Sequence, residues 1–118
     1  EPVFVFGSNL AGRHGKGAAL SAKRHYGAID GQGYGRQGNS FAIPTKDERL
    51  RVLPLSKIEK YVMGFLTYAR ENPQLQFRLT PIGCGLAGYE PFDIAPMFKG
   101  ASDNVYIPNE FREVLEMK

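Results

Sequence analysis

The sequence predicts an α/β layer fold built on a largely parallel sheet, and three observations carry that expectation. Short apolar runs rich in β-formers alternate along the chain with segments of helical periodicity. The first run, residues 3–6 (VFVF), is too short for a helix and reads as a strand buried on both faces, as in a parallel sheet. Two glycine-rich segments, 7–17 and 83–89, each follow a strand and precede a helix. Strand, glycine loop and helix together present backbone N–H groups to an anion.

The elements follow in order. After the first strand, Ala18, Ala19, Ala22 and Tyr26 recur at helical spacing while Lys23 and Arg24 face water, so residues 18–26 form a helix and Gly27 stops it. Residues 27–38 hold five glycines among polar residues, and no regular element suits them. Such a loop is either a surface insertion or a cover for a ligand. Residues 40–44 (SFAIP) form a second strand, 45–49 a charged loop and 51–55 a short extended piece. Ser56 with Glu59 reads as a capping box. The helix from 57 to 72 places Ile58, Tyr61, Val62, Phe65, Leu66 and Ala69 on one face, and Pro73 ends it. Residues 76–82 form a third strand, 91–98 a helix opened by Pro91, 104–107 a fourth strand and 110–117 a terminal helix. In parallel sheets ligands bind outside the carboxyl ends of the strands, so the two glycine loops are expected to face each other across one crevice.

Composition sets the limits. The 118 residues fit a single domain, 1–118, with a 42% hydrophobic and 23% charged content typical of globular chains. No run of about 18 apolar residues occurs, so no membrane-spanning helix and no membrane partner are expected. The lone Cys84 excludes an internal disulfide and a multi-cysteine metal site; no metal and no cofactor are expected. With nothing resembling a signal peptide, a cytoplasmic location is the expectation. The formal net charge of +3 fits an anionic ligand. The basic residues are scattered, so nucleic acid is the weaker alternative partner. The first loop carries neither the lysine-bearing phosphate-loop pattern nor the dinucleotide fingerprint, which argues against ordinary nucleotide triphosphatases and dehydrogenases.

The pair of loops resembles a macro domain, the ADP-ribose-binding α/β module. The macro pattern has a strand ending in Asn and then a glycine loop opening a helix; here these are Phe6-Gly7-Ser8-Asn9 and His14-Gly15-Lys16-Gly17-Ala18-Ala19. Its second hallmark is a late strand leading into a glycine loop with an aromatic, here Thr80-Pro81-Ile82-Gly83-Cys84-Gly85-Leu86-Ala87-Gly88-Tyr89. The resemblance is closest to the branch of terminal ADP-ribose protein glycohydrolases. That branch carries G-x-G-x-A (Gly15 to Ala19), K-x-x-F/Y-G (Lys23 to Gly27), I-T-K (Ile43-Pro44-Thr45-Lys46, with a proline inserted) and I-G-C-G-L (Ile82 to Leu86). The similarity spans roughly residues 3 to 107. It implies a three-layer fold with a mixed, largely parallel central sheet flanked by helices.

The resemblance also implies a ligand, ADP-ribose or a related NAD-derived nucleotide, with ADP-ribosylated protein as a further partner. Gly7, Ser8, Asn9, His14, Gly15, Lys16, Gly17 and Ala18 would bind from the first loop. Gly83, Cys84, Gly85, Leu86, Ala87, Gly88 and Tyr89 would bind from the second. Gly15 and Gly17, opposed by Gly83, Gly85 and Gly88, let the backbone approach a diphosphate. Asn9 would hydrogen-bond the distal ribose or serve as a turn side chain. Tyr89 would pack along the ribose or in the core. His14 would touch phosphate, shuttle a proton or sit as a plain loop histidine. Cys84 reads as a small filler, since no Cys–His motif supports a nucleophile.

Two departures from the branch bear on chemistry. The aspartate that recognises the adenine amine has no counterpart, because the chain starts at the asparagine-bearing strand. The acid that follows I-G-C-G-L is replaced by Ala87, while the lysine survives as Lys46. Binding with weak or no ADP-ribosyl hydrolysis is therefore expected. The alternative is an active hydrolase in which Lys46 works with Glu90 or Asp93 in place of the missing acid. Those two residues would otherwise be first-turn acids that complement a helix dipole.

Overall fold

A computed structural model describes residues 1–117. Its five strands are β1 (Val3–Asn9), β2 (Gly35–Gln37), β3 (Ser40–Lys46), β4 (Phe77–Leu79) and β5 (Val105–Tyr106). Its helices are α1 (Gly17–His25), α2 (Leu55–Glu71), α3 (Pro91–Ile94) and α4 (Asn109–Leu115), with a 3-10 turn at Ala95–Phe98. The sheet order is β2-β3-β1-β4-β5. All neighbours are parallel except β2, which runs antiparallel to β3, so the sheet is mixed and largely parallel.

β1 is the centre of the sheet, and its side chains feed both faces in strict alternation. Phe4 and Phe6 join Ala19 and Ala22 of α1, with Ala28 and Ala42, in one buried cluster. Val3 and Val5 join Phe41, Ile43 and the apolar stripe of α2 in the other, together with Phe98 of the 3-10 turn and Phe111 of α4. This gives three layers: α1 alone on one face, the sheet, and α2, α3 and α4 on the opposite face. The alanine-rich cluster lets α1 sit close to the strands. Phe4 stacks on Tyr26 with ring centroids 4.4 Å apart, closing the end of that layer.

The α2 stripe reads as expected, with Ile58, Val62, Phe65, Leu66 and Ala69 buried and Tyr61 partly so. Its start differs. The helix begins at Leu55 on Pro54, and no side chain caps it, so Ser56 and Glu59 form no capping box. Leu53 fixes the entry instead: it is buried, and its N–H bonds to the Thr45 carbonyl at 2.9 Å. Pro54 then supplies helical φ and accepts from the N–H groups of Lys57 and Ile58.

Prolines trim two further elements. β4 ends at Leu79 rather than continuing to Ile82. Thr80 still donates its N–H to Val5 at 3.0 Å, but Pro81 has no N–H to extend the ladder. The segment 91–98 is one turn of α-helix followed by a 3-10 turn, with Pro96 at the handover. The 27–38 segment, expected to hold no regular element, contains β2. Gln37 pairs with Ser40 across a two-residue turn, and Gly38 at its first position has φ +57°, the conformation such hairpins need there.

Candidate functional site

The sheet topology opens a crevice beside β1. The chain leaves β1 toward α1 on one face, whereas it leaves the neighbouring β4 toward α3 on the other. Strands whose connections depart to opposite faces leave a gap at their carboxyl ends, and ligands bind in such gaps. A cavity of about 610 Å³ lies there, a size within the usual small-molecule range.

Three strand ends build its floor: Gly7, Ser8 and Asn9 of β1, Thr45 and Lys46 of β3, and Thr80 beyond β4. One wall is the first glycine loop and the opening turn of α1, from Gly15 and Lys16 through Gly17, Ala18 and Ala19. The other is the second glycine loop, with Gly83, Cys84, Gly85, Leu86 and Ala87. The two loops singled out in the sequence thus enclose one space.

α1 supplies backbone donors to that space. Its N-cap is Lys16, no side chain caps it, and no acidic residue sits in its first turn. Its first N–H groups have no intrahelical partner, and the helix dipole places partial positive charge there. Lys23, Arg24 and His25 complement the opposite end. Arg13, Lys16 and Lys46 add full positive charges to the lining, which contains no carboxylate among the described residues. No ion pair or side-chain hydrogen bond engages these three cations among the described residues.

Several polar side chains of the lining are already committed to the fold. Asn9 donates from Nδ2 to the Arg13 carbonyl and accepts the Arg13 N–H at Oδ1, both at 2.9 Å. Its amide therefore staples the start of the loop and sets Arg13 at the rim. Ser8 is buried and its hydroxyl donates to the Gly33 carbonyl. The hydroxyls of Thr45 and Thr80 donate to the carbonyls of Ser8 and Val5. Burial, with the carboxylates of Glu90, Asp93 and Glu110 nearby, pushes the Cys84 thiol up to about 11. A thiol held that high is not a nucleophile near neutral pH.

Five sequence-selected residues lie outside the lining. Glu90 and Asp93 hold each other in a capping box at the start of α3, where the Glu90 N–H meets Asp93 Oδ2 at 2.9 Å. Tyr89 packs against the larger core cluster and donates its hydroxyl to the Leu53 carbonyl at 2.6 Å. Gly88 is exposed, with φ +83° in the turn that returns the chain to α3. His14 is buried, its ring edge-on to Phe6 with centroids 5.4 Å apart.

The lining adds seven residues that were not named as ligand contacts: Ala19, Thr45, Thr80, Pro81 and Ile82, which lie within the motifs, and Arg13 and Leu50, which do not. Arg13 had a signal, since it is one of the basic residues within the first loop. Leu50 had none. It sits in the β3–α2 loop at φ +64°, the only non-glycine described there with a positive φ. Asp47 holds that loop, accepting the N–H groups of Arg49 and Arg51 at 2.9 Å. The Arg51 backbone donor, helped by Arg49, keeps the Asp47 carboxyl below its ordinary range.

No protein-family model, curated protein or solved structure matches the chain.

Proposed function

We propose that this chain binds ADP-ribose or a related NAD-derived nucleotide in the cavity between its two glycine loops. One observation carries the reading: both loops, an uncapped helix N-terminus and three unengaged cations line a single cavity whose described lining has no acid. Such a lining favours a compact, multiply charged anion. The motif resemblance supplies the nucleotide.

Turnover has less support. Ala87 lies in the lining where the branch has its acid, and Glu90 and Asp93 are engaged with each other outside it. Lys46 is therefore read as a ligand contact rather than half of a hydrolytic pair. A nucleic-acid module would instead track many phosphates along an open surface.

Calorimetric titration with ADP-ribose, AMP and a short oligonucleotide tests the reading. ADP-ribose is expected to saturate one site with shallow salt dependence and to bind more tightly than AMP. Tighter binding of the oligonucleotide with a steep salt slope would replace this reading with the nucleic-acid one.

A further inference from the structure

We propose that His14 is a positioning residue for the first glycine loop, and that the 27–38 segment tunes the loop's hold on an anion from behind, without touching the ligand. The inference rests on the ligand reading above and names what regulates that site.

His14 stands between two cavity-lining residues, Arg13 and Gly15, yet its own side chain is 1% exposed and points away from the lining. Its Nε2 lies 3.1 Å from the Gln32 carbonyl and 3.2 Å from Gln37 Oε1. The orientation of the Gln37 amide is fixed independently. Oε1 accepts the Ile29 N–H at 2.8 Å, and Nε2 donates to the carbonyls of Gln32 and Gly35. Both neighbours of His14 Nε2 are thus acceptors, and Nε2 must carry the proton. The other ring nitrogen, Nδ1, is buried with no partner. A buried acceptor without a donor is costly, and an apolar side chain would fill the same space without that cost. What the histidine supplies is the Nε2 donor.

More bonds run between the same two segments. Gly31 donates its N–H to the Gly12 carbonyl at 2.9 Å, and the His14 N–H faces Asp30 Oδ1 at 3.4 Å. Asp30 is in turn paired with Lys23 of α1. The approach is close enough that a Cβ on Gly12 would overlap the Gly31 backbone, and one on Gly33 would overlap the Asn9 carbonyl. No residue of 27–38 lines the cavity. The segment is a buttress, not a cover. A loop containing Gly12, Gly15 and Gly17 has much conformational freedom to lose on binding, and a buried pin removes part of that loss beforehand.

The test compares two side chains of similar shape. His14→Gln keeps a donor near the Nε2 position, and His14→Met does not. In folded protein, His14→Met is expected to weaken ADP-ribose binding about tenfold or more, and His14→Gln to stay within about threefold of wild type. Backbone ¹⁵N order parameters of residues 12–17 in the ligand-free protein should fall in His14→Met alone, with those of α2 unchanged. Asp30→Ala, which removes the exposed acceptor of the His14 N–H together with its pair to Lys23, serves where His14→Met does not fold, with the same direction and a smaller effect. Equal losses in the Gln and Met variants, or unchanged order parameters in His14→Met, would overturn the proposal. If wild type shows no ADP-ribose binding, the ligand reading fails, and the order parameters decide the role of His14 by themselves.

Discussion

Gly64 sits in the middle of α2, where glycine costs about 1 kcal/mol relative to alanine. The reason lies outside the helix. Tyr34, on the segment before β2, presses its hydroxyl onto Gly64, and any Cβ there would overlap it. The ring also packs against Phe41 and Tyr61, and burial raises its pKa. Gly64→Ala is therefore expected to lower stability by about 1–2 kcal/mol despite the better helix propensity. In a Tyr34→Phe background, which removes the overlapping oxygen, most of that loss should vanish; urea unfolding of the four proteins measures the coupling. The Cys84 thiol gives a second residue-level expectation. With its pKa pushed up to about 11, only about one thiol in a thousand is ionised at pH 8, so iodoacetamide should react far more slowly than with a free thiol. The rate should rise about tenfold per pH unit up to that value. A fast reaction at pH 8 would show the thiol to be accessible and ionised. Gly64 gave no signal in the sequence, because its partner Tyr34 lies 30 positions away, whereas Cys84 was legible as a small filler from the absence of a Cys–His motif.

At the level of elements, the glycine loops divide into walls and joints. Gly15 and Gly85 line the cavity with no heavy atom within 4 Å of a built Cβ, and neither has a positive φ. Gly15→Val and Gly85→Val should therefore fold with near-native melting temperatures while losing most ADP-ribose affinity, read by calorimetry and circular dichroism. Native affinity in either would show that its loop is not a wall of the ligand site. Gly12→Ala is the opposite case: φ +71° and overlap with the Gly31 backbone predict a loss of stability first. Proline and periodicity made most elements readable, since every described strand and helix except β2 was expected within a few residues of where it lies. β2 was missed because three residues framed by glycines carry no alternation to detect. The start of α2 was misplaced because a buried leucine and a proline outweighed a local capping signal. The crevice between the two loops followed from the expectation of a parallel sheet with both loops at strand carboxyl ends, whereas the commitment of Asn9 to Arg13 needed coordinates.

For the whole molecule, acid should loosen the buttress before the core. Lys23, aided by the His14 N–H, holds the Asp30 carboxyl below its ordinary range. A carboxyl with a depressed folded-state pKa contributes stability above its unfolded value, near 3.9, and loses it as pH falls toward the folded value. Asp30→Asn should flatten the stability-versus-pH curve below about pH 5, and added salt should do the same because the pair is exposed. An unchanged curve would mean that the pair is solvated and idle. The central place of β1 has another consequence, one of timing. Among the described strands β1 waits longest for its neighbours, since both lie well downstream: Phe4 pairs with Ser40, and Val3 with Phe77. At about 5–20 residues per second, VFVFGSN waits several seconds for its second neighbour. Until then it is an apolar strand with open edges, the kind of segment that seeks other chains. Nascent chains stalled before residue 77 should accordingly be captured by chaperones or aggregate, and those stalled well beyond Tyr106 should not.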